Sequence, residues 1–292
     1  MNAEDIERLK AHVAELEQQL HVTKAILKRA ESSQAGSRDA AQKASLPVGP
    51  SLHNLLLLSD SALPLGSFAY SSGLESFLAH NKEGNKLALF QQFLKLTVQS
   101  MAYTNVPYVL AAFRDPLALM ELDNDLDAST PCTVQRRASI AQGRALLGVW
   151  EKAFAVTARK QFSEGQEAMA ALATFAADLR AAAISTEKLP VNGHLAPLWG
   201  VAATSLGLNL EETAYVFLFN HAKAVISAGV RASVMGPYQA QTLLAGEALQ
   251  KLVKESLERV WFLQPEDAGQ SVPSMDLWIG RHELLYSRIF NS

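Results

Sequence analysis

Three groups of residues have the types and spacing that chemistry needs. Asp123, Asp125 and Asp127 occupy alternate positions of ELDNDLDAS, the spacing at which a calcium loop presents its first oxygen ligands. The sixth position of such a loop falls on Ala128 rather than glycine, and the twelfth on Val134 rather than glutamate. Without the sharp turn and the bidentate carboxylate, the segment reads as a solvated turn. His194 is a metal ligand by type, but no His, Cys or carboxylate follows it at three or four residues. At the start of an apolar helix it reads as a capping or packing residue, and no metal-binding residue is assigned. The third group lies in LLLLSDSALPLGSFAYSSGLE, Leu55 to Glu75, which sets Tyr70 and Glu75 among small residues. The chain has no Walker loop, no G-x-S-x-G elbow, no H-E-x-x-H and no adjacent Cys–His pair, so no catalytic residue is assigned either. Catalytic groups gathered from distant helices would leave no such trace, and an all-α enzyme with a pocket in the bundle core stays open.

The elements that position these groups are helical throughout. Pro64 and Gly66 end any helix arriving from Leu55, and a second helix is expected from Ser67. Its face would carry Tyr70, Leu74, Phe77 and Leu78, with Ser71, Ser72, Glu75 and Ser76 on the flanks. Gly73 would then sit in mid-helix at a cost of about 1 kcal/mol against alanine, which points to another backbone or a partner approaching there. The segment is either a helix–turn–helix of the core or a partner-facing surface.

Residues 4–31 carry a heptad seam, Ile6, Leu9, Val13, Leu16, Leu20, Thr23 and Leu27, readable as a self-associating coiled coil or as a single amphipathic helix. Residues 32–51 are rich in Ser, Ala, Gly and Pro and read as a linker. Further helices are expected over Asn85–Tyr103, from Pro107 through Met120, and from a Thr130–Pro131 start through Arg136, Arg137, Gly143 and Phe154. Others follow over Glu164–Ala183, from an Asn209/Glu212 capping pair to about Val234, and over Gln239–Trp261 beyond a Gly236–Pro237 break. The helix from Asn209 is apolar nearly all round and is expected at the centre of the core. Residues 264–275 read as a loop. The tail DLWIGRHELLYSRIFNS is too apolar to stay in water alone and must dock on the body or on a partner. The fold class is therefore all-α: a compact helical bundle (52–292, with a partner-binding tail over 276–292), a linker (34–51) and an N-terminal coiled-coil-like extension (1–33).

Composition sets the outer bounds. The 292 residues are 49% hydrophobic and 19% charged, with 26 basic against 29 acidic side chains, a net −3. That balance gives no basic excess for nucleic acid. The single cysteine, Cys132, excludes an internal disulfide framework and a multi-thiolate zinc site. No apolar run approaches the ~18 residues of a membrane span, and MNAEDIERLK has no signal-peptide core. A cytoplasmic protein without a membrane partner is expected.

SALPLGSFAYSSGLE closely resembles the opening signature of the UreF family of urease accessory proteins, SPALPxGxFxYSxGLE, matching Pro64, Gly66, Phe68, Tyr70, Ser71, Gly73 and Glu75 among its ten identities. The tail resembles the family's closing signature through Arg281, His282, Glu283, Tyr286, Ser287, Arg288, Phe290 and Ser292. Weaker matches join them. Arg136, Ser139 and Gly143 fit R-x-x-S-x-x-x-G, where the family commonly has a glutamate at the position of Val134. His194, Pro197, Gly200 and Leu206–Leu208 fit G-H-x-P-x-x-G…LGL, and Arg231 and Gly236 fit a VRL…GQ junction. Together these span about residues 53–292. The resemblance implies an all-helical, non-catalytic protein that acts as a dimer. It would bind the accessory protein UreD (UreH in some species) and, through it, the GTPase UreG. That assembly would engage urease apoprotein for GTP-driven nickel insertion, with no cofactor bound tightly to the UreF-like chain. A coiled-coil adaptor resting on the first thirty residues is a further reading.

Overall fold

The computed structural model describes residues 49–184 and 191–291, together with Val13, Leu16, Leu20, Thr23 and Lys24. The chain divides into two compact units, Met1–Val48 and Gly49–Ser292. In the first, the five described residues are helical; the remainder of the heptad seam and the linker lie outside the described residues. The second is all-helical, with no strand among the described residues.

A proline at its first turn opens α1, Pro50–Ser59, where a missing N–H costs nothing. Its last carbonyls are taken by side chains from another helix: Asn220 Nδ2 donates to Leu58 O at 2.8 Å, and Lys223 Nζ to Ser59 O. A 3-10 turn at Ser67–Ala69 and α2, Leu74–His80, follow. The single helix expected from Ser67 is thus broken at Tyr70–Gly73. Gly73 is the N-cap of α2 at φ +86°, a left-handed conformation that a side chain disfavours, rather than a mid-helix residue. The expected close approach is present, since a Cβ there would lie 3.0 Å from Ile279 N.

Helix α3 runs unbroken from Lys86 to Arg114 with Pro107 inside it, where two helices were expected. A proline leaves the carbonyl four residues back without its partner. That carbonyl, Tyr103 O, instead accepts from Gly269 N at 3.3 Å, so the 264–275 loop completes the ladder from outside. ELDNDLDAS is likewise a helix, α4 (Leu119–Ser129), and not a solvated turn. Helix α5, Thr133–Val149, starts two residues beyond the expected Thr130–Pro131 cap. It passes through a π turn at Trp150–Phe154 into α6, Ala155–Gln161. Helix α7 is Gln166–Ala182.

Helix α8, Leu195–Ser205, is buried along almost its whole length. It packs on α3, α5 and α7, so α8 rather than the expected helix from Asn209 is the most enclosed element. That helix is α9, Leu210–Arg231, and its capping box is formed: Asn209 Oδ1 accepts from Glu212 N at 2.7 Å, and Glu212 reaches back to Asn209 N. The helix expected over Gln239–Trp261 is two, α10 (Pro237–Ala245) and α11 (Glu247–Val260), divided at an extended Gly246. The tail forms α12, Ser274–Arg281, a short 3-10 turn and an extended end. Helix α12 packs on α2 and α5, with Trp278 edge-on to Phe77 at 4.8 Å. The tail therefore docks on its own body.

Candidate functional site

Two junctions gather nearly all of the singled-out residues. The first joins the Ser67–Glu75 segment to the chain's end. Glu75 Oε1 accepts from Ile289 N at 2.9 Å, and Oε2 from Phe290 N at 3.1 Å. Ala69 O accepts from Asn291 N at 2.8 Å. His282, fully buried, donates from Nε2 to Phe290 O at 3.0 Å and lies 3.7 Å from the Glu75 carboxylate. The Phe290 ring is 4% exposed and has the Arg231 guanidinium 4.4 Å from its centroid. Burial lowers the Arg231 pKa, and the cation–π contact offsets part of the lost hydration. One carboxylate thus clamps two backbone amides of the tail, and one arginine covers the aromatic anchor.

Around this clamp several residues face outward. Phe68, Leu284, Tyr286 and Ile289 are exposed large hydrophobics, and Arg281 and Arg288 are exposed as well. Glu283 pairs with Arg137 of α5, and that guanidinium, aided by Arg288, lowers its pKa. Pro64 is exposed, Gly66 sits at φ +73° before the 3-10 turn, and Ser71 is buried. Gly236 caps α10, and a Cβ there would touch nothing within 4 Å; the clamp does not include it.

The second junction explains the weaker motifs. Asp123 is fully buried, and its carboxylate accepts from the amides of Asn192 (2.9 Å), Gly193 (2.9 Å) and His194 (2.6 Å). An anion there also suits the N-terminus of α8. His194, buried as a packing residue, contacts Ser139 Oγ at 3.0 Å through Nδ1 and Asp127 Oδ1 at 3.1 Å through Nε2. Asp127 lies 3.6 Å from Arg136, whose Nη2 donates to Thr130 O at 2.6 Å. Asp125 accepts from the Tyr108 hydroxyl at 3.1 Å, and burial pushes that phenol up to about 12. Asp123 and Asp127 thus both hold His194, and Asp125 holds Tyr108 of α3. Val134, at the family's glutamate position, is buried, and Arg136 finds its acid on α4 instead. Gly143 is required by contact: a Cβ on it would stand 2.2 Å from Gly193 O and 2.7 Å from Leu195 N.

Ser139, His194 and Asp127 are connected in the order of a nucleophilic relay. Leu195 N also donates to Ser139 Oγ at 3.3 Å, so these contacts brace α4, α5 and α8 against one another. Among the described residues no cluster of three or more His, Cys, Asp or Glu could hold a metal ion.

A cavity of about 200 Å³ lies under the Leu63–Ser72 segment, bounded by Met101, Gln142, Trp199, Phe217, His221 and Ile279. His221 Nε2 is 3.0 Å from Thr97 Oγ1, and burial lowers its pKa to about 4, which keeps the ring neutral. Lys223, also at the cavity, has its pKa lowered by burial against the opposing effect of Asp60.

An all-helical body with its first signature segment latched to its last residues is the class that this geometry defines. The UreF family model matches residues 86–248. An uncharacterised UreF-like urease accessory protein of Schizosaccharomyces pombe is 40% identical over 242 residues, 82% of this chain and 97% of that one. Urease accessory protein F of Oryza sativa subsp. indica is 32% identical over 239 residues, 80% and 82% of the two chains. Urease accessory protein UreF of Actinobacillus pleuropneumoniae serotype 5b is 26% identical over 244 residues, 82% and 97%. The chain belongs to the UreF family.

The sequence pointed to Glu75, His282 and Phe290 without pairing them, and it placed Asp123 in a solvated turn where the structure buries it. The signal for Asp123 was present in its position on an amphipathic segment, since it falls three residues before Leu126 and one after Leu122.

Proposed function

We propose that the chain is a non-catalytic assembly factor in the maturation of urease. In this reading it binds a UreD/UreH-type accessory protein and, through it, a UreG-type GTPase. The assembly then engages urease apoprotein and supports GTP-dependent nickel insertion. The relatives' names support a part in urease maturation. Nickel is cargo and GTP is the partner's substrate in this scheme, the chain acts as a homodimer in the cytoplasm, and neither nucleic acid nor membrane is a partner. No described helix is long and apolar enough to cross a membrane.

The observation that carries the reading is the clamp at Glu75. It fixes the tail's backbone while leaving Phe68, Leu284, Tyr286 and Ile289 in solvent beside Arg281 and Arg288. Aromatic residues and arginines held on a rigid support are the composition of protein-interface hot spots. The chain would be co-expressed with UreD and UreG proteins and urease, and the complex mass and nickel content of urease measured. A stable complex and nickel-loaded urease are expected. A folded chain that binds neither protein and leaves urease without nickel overturns the proposal.

A further inference from the structure

We propose that the cavity under the Leu63–Ser72 segment is a binding site for a small uncharged molecule with an apolar, ring-sized body and one hydroxyl group. The space there is about 200 Å³, and an apolar cavity of about 150 Å³ is large enough to take benzene. Large apolar side chains from four helices wall it: Met101 of α3, Trp199 of α8, Phe217 of α9 and Ile279 of α12. An apolar body placed among them leaves water without opening a new void. Nothing in this assignment depends on a part in urease maturation.

The charges and hydrogen bonds of the lining select the ligand's class. Asp60 and Lys223 are its formally charged residues, and they oppose each other. Lys223 Nζ is also engaged with Ser59 O. A charged ligand would therefore bring an ion without a counter-charge into a largely apolar site, which costs free energy. Burial lowers the pKa of both Lys223 and His221, as expected where the surroundings disfavour positive charge. Several polar side chains at the cavity are already committed. Ser67 donates to Gln142 at 2.7 Å, Ser100 to Gln270 at 2.8 Å, and Ser139 meets His194 at 3.0 Å. His221 differs. Its Nε2 meets Thr97 Oγ1 at 3.0 Å, while Nδ1 has no hydrogen-bond partner among the described residues. A neutral imidazole presents Nδ1 as donor or acceptor according to its tautomer. A hydroxyl group, being both, satisfies either form.

Four probes of one size test this in titrations of the full chain at pH 7, followed by ligand-observed NMR and calorimetry. They are p-cresol, toluene, benzoate and benzylamine. A molecule of about eight heavy atoms supports a roughly millimolar Kd, so each is taken to about 10 mM or to its solubility. p-Cresol should bind one site per chain, at least about tenfold tighter than benzoate or benzylamine and about threefold or more tighter than toluene. His221→Leu should remove the preference for p-cresol over toluene. Met101→Trp and Ala224→Leu, which fill the cavity from two helices, should each abolish binding while circular dichroism shows a folded chain. Binding of a charged probe as tight as that of p-cresol overturns the proposal, as does an equal affinity for toluene. So does a preference that survives His221→Leu. Retained binding in a folded filled variant would put the probe elsewhere, and no binding of any probe to the parent would leave the cavity without a ligand; either result overturns the proposal too.

Discussion

The Phe290 amide donates to the Glu75 carboxylate at 3.1 Å across 215 residues of sequence, and with the neighbouring Ile289 amide it ties the two ends of the body together. A carboxylate accepting two backbone N–H groups makes charge-assisted bonds, each worth about 1.5–3 kcal/mol. Its partial exposure trims that figure, and Glu75→Ala is expected to destabilise the body by about 2 kcal/mol. The change would also speed exchange of the Ile289 and Phe290 amides. Urea unfolding with hydrogen exchange checks both, and unchanged protection at 289–290 would show that the tail is held without the clamp. The sequence left this segment open between a core helix–turn–helix and a partner-facing surface; the tail's return over Glu75 gives its carboxylate an internal role.

At the second junction, Gly143→Ala drives a methyl group into the Gly193–Leu195 backbone, 2.2 Å from a carbonyl oxygen. Backbone cannot yield as a side-chain tip does, so a loss of about 3 kcal/mol or more is expected. Gly148→Ala, on the same helix with nothing within 4 Å of the added carbon, should gain up to about 1 kcal/mol from helix propensity. Thermal unfolding of the pair separates contact from propensity; equal shifts would remove the contact argument.

Asp123→Asn keeps the shape of the side chain but turns an acceptor of three amides into a group with two donors of its own. At least one amide then faces a donor in a buried site, at a cost of about 1–3 kcal/mol. The backbone at 191–195 should become the first site cut in limited proteolysis. A variant as stable and as protease-resistant as the parent would show that the loop is held by Arg144, which donates to Asn192 O at 2.7 Å.

These junctions mark how far the sequence could be read. Local signals were legible: the Asn209/Glu212 box and the helical class depend on neighbours a few residues apart. What failed depended on distant groups. Pro107 looked like a helix start because its compensation, Gly269 N on Tyr103 O, comes from a loop 166 residues later (269 less 103). ELDNDLDAS looked solvated because the amides and side chains that satisfy its acids belong to other elements. Glu75 and the tail each carried a recognisable pattern, but nothing in either string states that they meet.

His221, half-buried at the edge of the cavity, makes stability depend on pH. Its native pKa, about 4, lies below its ordinary 6.5 because burial disfavours the charged ring. Between those values the unfolded chain binds a proton that the native state refuses. The histidine's contribution is therefore complete above pH 6.5, falls as pH falls by up to about 1.4 kcal/mol per unit, and levels off below about pH 4. His221→Gln should flatten this slope in urea midpoints measured from pH 7 to 4. A slope unchanged by the substitution would assign it to other groups.

Tyr286 and Phe290 stand four residues apart in the tail and separate packing from recognition. The Phe290 ring is buried under Arg231, whereas Tyr286 is wholly in solvent. Phe290→Ala removes a buried ring and should cost about 3–5 kcal/mol of stability. Tyr286→Ala touches no internal contact of this kind and should change stability by less than about 0.5 kcal/mol. If the exposed face is where the accessory proteins bind, the same Tyr286→Ala should weaken their capture by about 2 kcal/mol, roughly thirtyfold in Kd. Melting curves and titration of the folded variants against UreD, with and without UreG, read the two effects independently. A Tyr286→Ala chain that melts and binds like the parent, with binding lost instead in a folded variant of another face, would move the partner surface away from the tail.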